Sequence, residues 1–450
     1  MTTTTATIFD FLSFTPTTEQ SQFLFEIDEF MESDEDFFLL RGSAGTGKTS
    51  IAKAVVDYLS EKQIPCLLSA PTTRAARIIG RKTNREARTI HSRIYLIEPL
   101  EDGRVKTSLR VSEDTLPTLY IVDEASMISD KVGADDKFIA NQGLLSNLIT
   151  FVKGGNRRNK LLFIGDVYQL PPIGYANGET PPALSARYLR EQIGLTGHVM
   201  ELTDVKRQAE GSSILRSATS LRDAMRSGNA WNIESARFWG QTGAVDGYVK
   251  AFNPRQLDSA VYIAPYHKSL SNFNNAVRQR FGRKNSLSIG EVVVFNQNFV
   301  GSSHTAFNGD FGTVVGLDAR IELFAGLHFQ QVEVEVADEQ GQAQRVAGKA
   351  CLEFISGERP ELGQEQEKAL FAEVMHTDKL FRESKLQQKQ LNPYLGAMRL
   401  RYGYGITCHK AQGSEFGTVL LNTWSHTGVP NLNYLYTGVT RARERLVCSA

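Results

Sequence analysis

Uninterrupted apolar runs separated by longer stretches of helical character dominate the chain from Thr15 to about Gly194. Four runs, Phe37 to Leu40, Cys66 to Ser69, Leu119 to Val122 and Leu161 to Ile164, lack the alternation of a half-exposed strand. They predict strands buried on both faces, as in a parallel sheet. Each ends in polar or glycine-containing sequence, and the carboxyl edge of such a sheet is where α/β domains collect ligands. Between the second and third runs, residues 93–117 alternate around Asp102-Gly103, which predicts a protruding β-hairpin.

Beyond Leu195 the α/β pattern resumes, with strands expected at Val199 to Leu202 and Ala260 to Ala264 and helices at Ser212 to Arg226 and Lys268 to Phe281. From Gly290 to Phe354 the chain changes to short valine-rich runs, Glu291 to Phe295, Gly312 to Val315, Val332 to Val336 and Ala350 to Phe354, punctuated by turns such as Asn308-Gly309. This predicts a small β-barrel. The polar stretch Gln364 to Gln390, free of glycine and proline, reads as a helical excursion from it. Gly405 to Cys448 returns to α/β character, so the second α/β domain is interrupted.

The chain's 450 residues exceed one core and suggest about two to four domains. No stretch approaches a membrane span, and Met1 to Thr5 lacks the basic and apolar regions of a signal peptide; a soluble, cytoplasmic protein is expected. Cys66, Cys351, Cys408 and Cys448 are widely spaced, which argues against disulfides and zinc. Fifty basic and fifty acidic residues cancel, leaving no global field to gather a polyanion, although a local groove can still grip a strand.

Candidate chemistry starts at Gly42-Ser43-Ala44-Gly45-Thr46-Gly47-Lys48-Thr49, a glycine-rich loop between a buried strand and a helix. In this P-loop pattern backbone N–H groups and the helix dipole face a phosphate; Lys48 reaches the β and γ phosphates and Thr49 holds Mg²⁺. Tyr120-Ile121-Val122 delivers Asp123 and Glu124 to the end of another strand, Asp123 for Mg²⁺ and Glu124 to polarise the attacking water. Gln169, in Gly165-Asp166-Val167-Tyr168-Gln169-Leu170-Pro171-Pro172, suits a sensor of the γ-phosphate.

Together the loop, the D-E-A-S element and G-D-V-Y-Q-L-P-P resemble a superfamily 1 helicase. Residues 70–76 (A-P-T-T-R-A-A), 89–92 (T-I-H-S), 205–208 (V-K-R-Q), 407–415 (T-C-H-K-A-Q-G-S-E) and 436–443 (Y-T-G-V-T-R-A-R) resemble motif Ia, the T-I-H element and motifs IV, V and VI of the RecD-like and Dda-like 1B branch. The resemblance implies two RecA-like P-loop NTPase domains of α/β fold with parallel sheets, plus a β-hairpin pin insertion and an SH3-like β-barrel insertion. It divides the chain into 1–93 and 118–195 for the first domain, 94–117 for the pin, 196–289 and 397–450 for the second domain, and 290–396 for the barrel with its helical extension.

Functionally, it implies a monomeric ATP- and Mg²⁺-dependent DNA helicase moving 5′ to 3′ on single strands, with duplex junctions as substrates. ATP is expected in the cleft between domains, with Arg207 and Arg441 on the γ-phosphate, Gln20 reading adenine, and Gly413 and Glu415 contributing to the nucleotide site. Single-stranded DNA is expected on Pro71, Thr72, Thr89 and His91 of the first domain and on Tyr266, His267, Thr407 and His409 of the second, on the face away from the sheet edges. The sequence departs from the family at Thr73, where glycine is common, and at Pro265-Tyr266-His267-Lys268, where T-N-K is common. It also lacks an aromatic residue at the hairpin tip. An ATP-gated clamp without unwinding and an RNA helicase are the alternatives.

Overall fold

Phe37, Phe38, Leu39 and Leu40 are all fully buried because strand β1 (Phe37–Gly42) is covered on both faces. Phe38 and Leu40 pack with Phe23, Ile27 and Phe30 of the helix Thr18–Glu32 and with Ile51 and Val55 of the helix Lys48–Glu61. Phe37 and Leu39 pack instead with Leu145, Leu148 and Val152 of the helix Leu144–Gly155. The computed structural model describes residues 7–99, 105–132, 138–139, 142–204, 212–301, 304–337, 341–356, 362–383, 392–425 and 429–449. They form two compact units, one from residues up to 98 and 106–212, the other from residues 99, 105 and 213 onward.

In the first unit the chain adds β2 (Cys66–Ala70), β3 (Ala87–Thr89), β4 (Tyr95–Pro99), β5 (Val105–Leu109), β6 (Leu119–Val122), β7 (Phe138–Ile139), β8 (Lys160–Gly165) and β9 (Gly197–Leu202). Six strands make a parallel sheet in the order β3-β2-β6-β8-β1-β9. The expected start of the second domain at residue 196 is corrected here, since β9 pairs with β1 from Phe37↔Gly197 to Gly42↔Leu202. Its entry is fastened by His198, whose Nδ1 lies 2.6 Å from Glu35 and whose ring is 4.1 Å from that of Phe38. β4 and β5 are neighbours in a small sheet with β7. The hairpin tip at Asp102-Gly103 lies outside the described residues.

The second unit contains β10 (Ala236–Phe238), β11 (Ala260–Ala264), β12 (Val292–Phe295), β13 (Phe299–Val300), β14 (Thr305–Ala306), β15 (Phe311–Phe324), β16 (Leu327–Ala337), β17 (Ala343–Cys351), β18 (Leu400–Tyr402), β19 (Gly405–Thr407), β20 (Phe416–Leu421) and β21 (Ala442–Ser449). A parallel sheet runs β10-β21-β20-β11-β19. The intervening residues build an antiparallel sheet, β17-β16-β15-β12-β18. Its two edges meet where Ala350 bridges Met398, with Met398 N–H on Lys349 O at 2.7 Å and Cys351 N–H on Met398 O at 3.1 Å, so the sheet closes into a barrel. β18 belongs to this barrel and carries it past the expected limit of residue 396.

Of the helical excursion, Gln364–Thr377 and Lys379–Glu383 are helical, and Leu370, Val374 and Phe381 pack on Leu327, Phe329 and Phe354 of the barrel side. Residues 384–390 lie outside the described residues. Barrel and parallel sheet are joined by a buried charge cluster in which Glu291, with no exposed surface, accepts from Tyr404 Oη (2.6 Å), Arg283 Nη1 (3.0 Å) and Arg278 Nε (3.2 Å). All four cysteines are free thiols. No described helix is long and apolar enough to cross a membrane.

Candidate nucleotide and nucleic-acid sites

Strand order decides what meets what in the first unit. β6, β8 and β1 are consecutive and parallel, so the residues leaving their carboxyl ends share one edge. These are Asp123 and Glu124 after β6, Gln169 after β8, and the loop Gly42 to Thr49 after β1. Val122 is level with Phe163, itself level with Leu39, which sets Asp123 level with the end of β1, two strands away across β8.

The loop is folded by its own residues. Gly45 and Gly47 have φ of +88° and +80°, left-handed values that an L side chain adopts at a cost. A Cβ on Gly47 would also stand 2.7 Å from Gln20 Nε2. Thr46 Oγ1 donates to Ser43 O at 2.9 Å, and Lys48 Nζ donates to Gly42 O at 2.6 Å and Ser43 O at 2.9 Å, so the cation is poised over the loop. Ala44 lies within the loop, and Thr49 is the second residue of the helix Lys48–Glu61, at its positive end.

Gln20 is buried and ties its helix to the loop. Its Nε2 donates to Thr46 O at 2.9 Å and its Oε1 accepts Thr17 N–H at 2.9 Å, so the amide assigned to adenine from the sequence is engaged within the protein at both ends.

Asp123 is buried, and Glu124 N–H donates to its Oδ1 at 2.9 Å. Burial pushes its carboxyl above the usual range, against the pull of that N–H and of the Lys48 and Lys82 ammonium groups. A desolvated carboxylate and a threonine hydroxyl delivered to the same sheet edge are hard oxygen donors that fit Mg²⁺, which takes few protein ligands and shares the rest with phosphate and water. Glu124 has φ +52°, an uncommon left-handed conformation for a non-glycine residue. This turn is invisible in the D-E-A-S letters. Gln169 is buried on the neighbouring loop.

The strand-binding candidates share a different device. Thr72, Thr89 and Thr407 each leave a parallel strand and cap the next helix, accepting Ala75 N–H (3.2 Å), Ser92 N–H (3.1 Å) and Lys410 N–H (3.4 Å). At Thr72 and Thr407 the hydroxyl accepts in the cap and can donate its O–H outward, whereas the Thr89 O–H donates to Ser92 Oγ at 2.9 Å. Pro71 and Thr72 follow β2, and Thr89, level with Ala70, ends β3. They stand at the carboxyl edge of the sheet, which corrects the expectation that this path avoids the sheet edges. His91 is exposed, its ring 5.8 Å from Tyr95.

The second unit separates its candidates. Tyr266 and His267 follow β11, and Thr407, with His409 in the next turn, follows β19, all at the carboxyl end. Gly413 and Glu415 precede β20 and Arg441 precedes β21, at the amino end. Thr407 is level with Ala264 and Thr418 with Ala260, so motif V crosses about 13 Å of sheet height. Arg441 is buried and holds this segment, with Nη1 on Ser414 O (3.2 Å), Nε on Thr437 O (3.1 Å) and Nη2 on Thr440 Oγ1 (3.1 Å). Arg207 lies outside the described residues. Lys410, not singled out from the sequence, donates to Asn296 Oδ1 at 2.8 Å, and burial together with Arg401 lowers its pKa to about 8.

Comparison with known proteins agrees with this arrangement. The AAA domain family matches residues 17–243, and the UvrD-like helicase C-terminal domain matches residues 402–448. The ATP-dependent RecD2 DNA helicase of Deinococcus radiodurans is 26% identical over 419 residues, 90% of this chain and 46% of that protein. The chain belongs to superfamily 1B of the P-loop helicases. The Dda helicase of phage T4 is 27% identical to this superfamily 1B chain over 273 residues, 57% of the chain and 56% of Dda. The chain thus spans about half the length of these relatives.

Among solved structures, Pif1 helicase from Bacteroides with ADP-AlF3 and single-stranded DNA aligns over 97% of this chain and 93% of its own. Its TM-score is 0.53 and its identity 16%. Pif1 from Candida albicans gives 0.51 and 17% over 97% and 94%. At such identities they support the fold, two RecA-like α/β domains.

Proposed function

We propose that this chain is an ATP-dependent DNA helicase and single-stranded DNA translocase, moving 5′ to 3′ as a monomer. The observation that carries the reading is the convergence of the Lys48 loop, Asp123, Glu124 and Gln169 on one edge of three adjacent parallel strands. MgATP supplies a transferable γ-phosphate when bound. Lys48 holds its charge, Thr49 and Asp123 take the metal, Glu124 orients the attacking water, and Gln169 registers whether the γ-phosphate is present. The resemblance to the family adds Arg207 and Arg441 as the cations that neutralise charge developing on the γ-phosphate. The two groups of the second unit lie at opposite ends of its sheet, joined by motif V, so a change at Arg441 is passed to Thr407 and the strand it holds.

The test is strand displacement of 5′-tailed and 3′-tailed duplexes, run beside Lys48→Ala. Unwinding of the 5′-tailed DNA by the wild type and none by the variant is expected. Unwinding confined to 3′ tails would reverse the polarity. ATP turnover stimulated by RNA and not by DNA would replace the substrate, and DNA-stimulated turnover without strand separation would leave a translocating clamp.

A further inference from the structure

We infer that Trp424, buttressed by Tyr266, forms a base-stacking site at the carboxyl edge of the second unit's parallel sheet and takes one base of a single strand whose phosphate meets Thr407. The inference rests on the strand-binding reading above and adds a specific grip to it. Trp424 stands three residues past β20 and Tyr266 two past β11, adjacent parallel strands with Leu421 level with Ile263. Their rings lie 6.1 Å apart at 75°, an edge-to-face contact that fixes the indole plane.

The loop beneath is anchored. Trp424 N–H donates to Asn422 Oδ1 at 3.0 Å, Asn422 Nδ2 to Tyr262 Oη at 3.0 Å, and Thr423 N–H to Ser449 Oγ at 2.9 Å. An indole on so fixed a loop is preorganised, yet Trp424 remains 54% exposed.

Scattered exposed apolar residues need no explanation. This one has a hydroxyl on the other flank of β11, because Thr407 ends β19 level with Ala264. Trp424 and Thr407 therefore stand two strand spacings apart, about 10 Å, with Tyr266 on the strand between them, so a ring face and a phosphate donor share one sheet edge as the two chemical faces of a nucleotide require. The edge continues in the same character: Trp239, 78% exposed, directly follows β10, two strands beyond β20. A row of aromatic faces beside backbone-binding hydroxyls suits bases without regard to their identity.

The experiment compares binding of the full chain to a thymidine decamer and to an abasic decamer of the same charge. Trp424→Ala is expected to weaken the thymidine decamer about tenfold and to leave the abasic one unchanged, with Trp424→Phe restoring most of the difference. If the wild type binds the thymidine decamer and Trp424→Ala binds it equally well, or loses both decamers alike, the stacking site is overturned while the helicase reading survives. A wild type that binds neither decamer overturns both. Should Trp424→Ala lower the unfolding midpoint, Trp424→Phe against Trp424→Leu decides instead: base-dependent binding kept only by Phe supports the site, and equal binding by both overturns it.

Discussion

Arg441 donates through Nη1 to the carbonyl oxygen of Ser414 across 3.2 Å, and with its bonds to Thr437 and Thr440 it binds motif VI to motif V inside the second unit. Three directional donors on a planar fork fix the orientation of a buried guanidinium, which a flexible ammonium cannot reproduce. The arginine is therefore both a structural tie and the group proposed to meet the γ-phosphate.

Arg441→Lys keeps the charge and loses the fork. Stability should fall by about 1–3 kcal/mol for the unsatisfied carbonyl groups, read from urea unfolding. DNA-stimulated ATP turnover should fall by at least about 10³-fold, as for other arginines that stabilise phosphoryl transfer. Wild-type turnover in this variant would remove Arg441 from the chemistry.

Gln20→Ala distinguishes tethering from base reading. The amide closes a capping box with Thr17 and satisfies Thr46 O, so its loss should cost about 1–2 kcal/mol and raise the KM for ATP as the loop loosens. Urea midpoints and steady-state kinetics with ATP and GTP check this. Unchanged stability with a relaxed preference for ATP would make Gln20 a base reader alone.

Much of the site was legible because its letters are contiguous. Gly42 to Thr49 and Asp123-Glu124 each follow an apolar run, and local spacing alone carries their chemistry. What depends on register was less visible. Val199 to Leu202 looked like the start of a new domain, yet pairing with β1 makes it an edge of the first sheet. The left-handed turn at Glu124 and the double engagement of Gln20 arise from tertiary contacts that no short motif encodes. Trp424 passed unnoticed because a lone tryptophan has no spacing signal until β20 and β11 are known to be neighbours.

Thr72 carries two roles that substitution can separate. Thr72→Asp retains an N-cap acceptor for Ala75 N–H and should leave stability within about 0.5 kcal/mol of wild type, whereas Thr72→Val should lose about 1 kcal/mol. Both lack the outward O–H, and Asp adds repulsion, so single-strand affinity should fall in both and more in Thr72→Asp. Equal affinity of Thr72→Asp and wild type by fluorescence anisotropy would confine Thr72 to capping.

Lys410 gives the chain a pH dependence whose sign can be worked out. Its folded pKa is lowered to about 8 by burial and by Arg401, against about 10.4 for an unfolded lysine. Below pH 8 both states hold the proton, and the folded state carries the full cost of a buried charge. Between about 8 and 10.4 the unfolded chain binds more protons, so this group makes stability rise with pH, by at most about 1.4 kcal/mol per unit. Lys410→Met removes the ammonium and its bond to Asn296, and with them that rise. Urea unfolding of both proteins at pH 7.5, 8.5 and 9.5 should show the stability of wild type gaining on that of the variant as pH increases. A difference constant across those three values would place the Lys410 titration outside the window and make its ammonium an ordinary solvated charge.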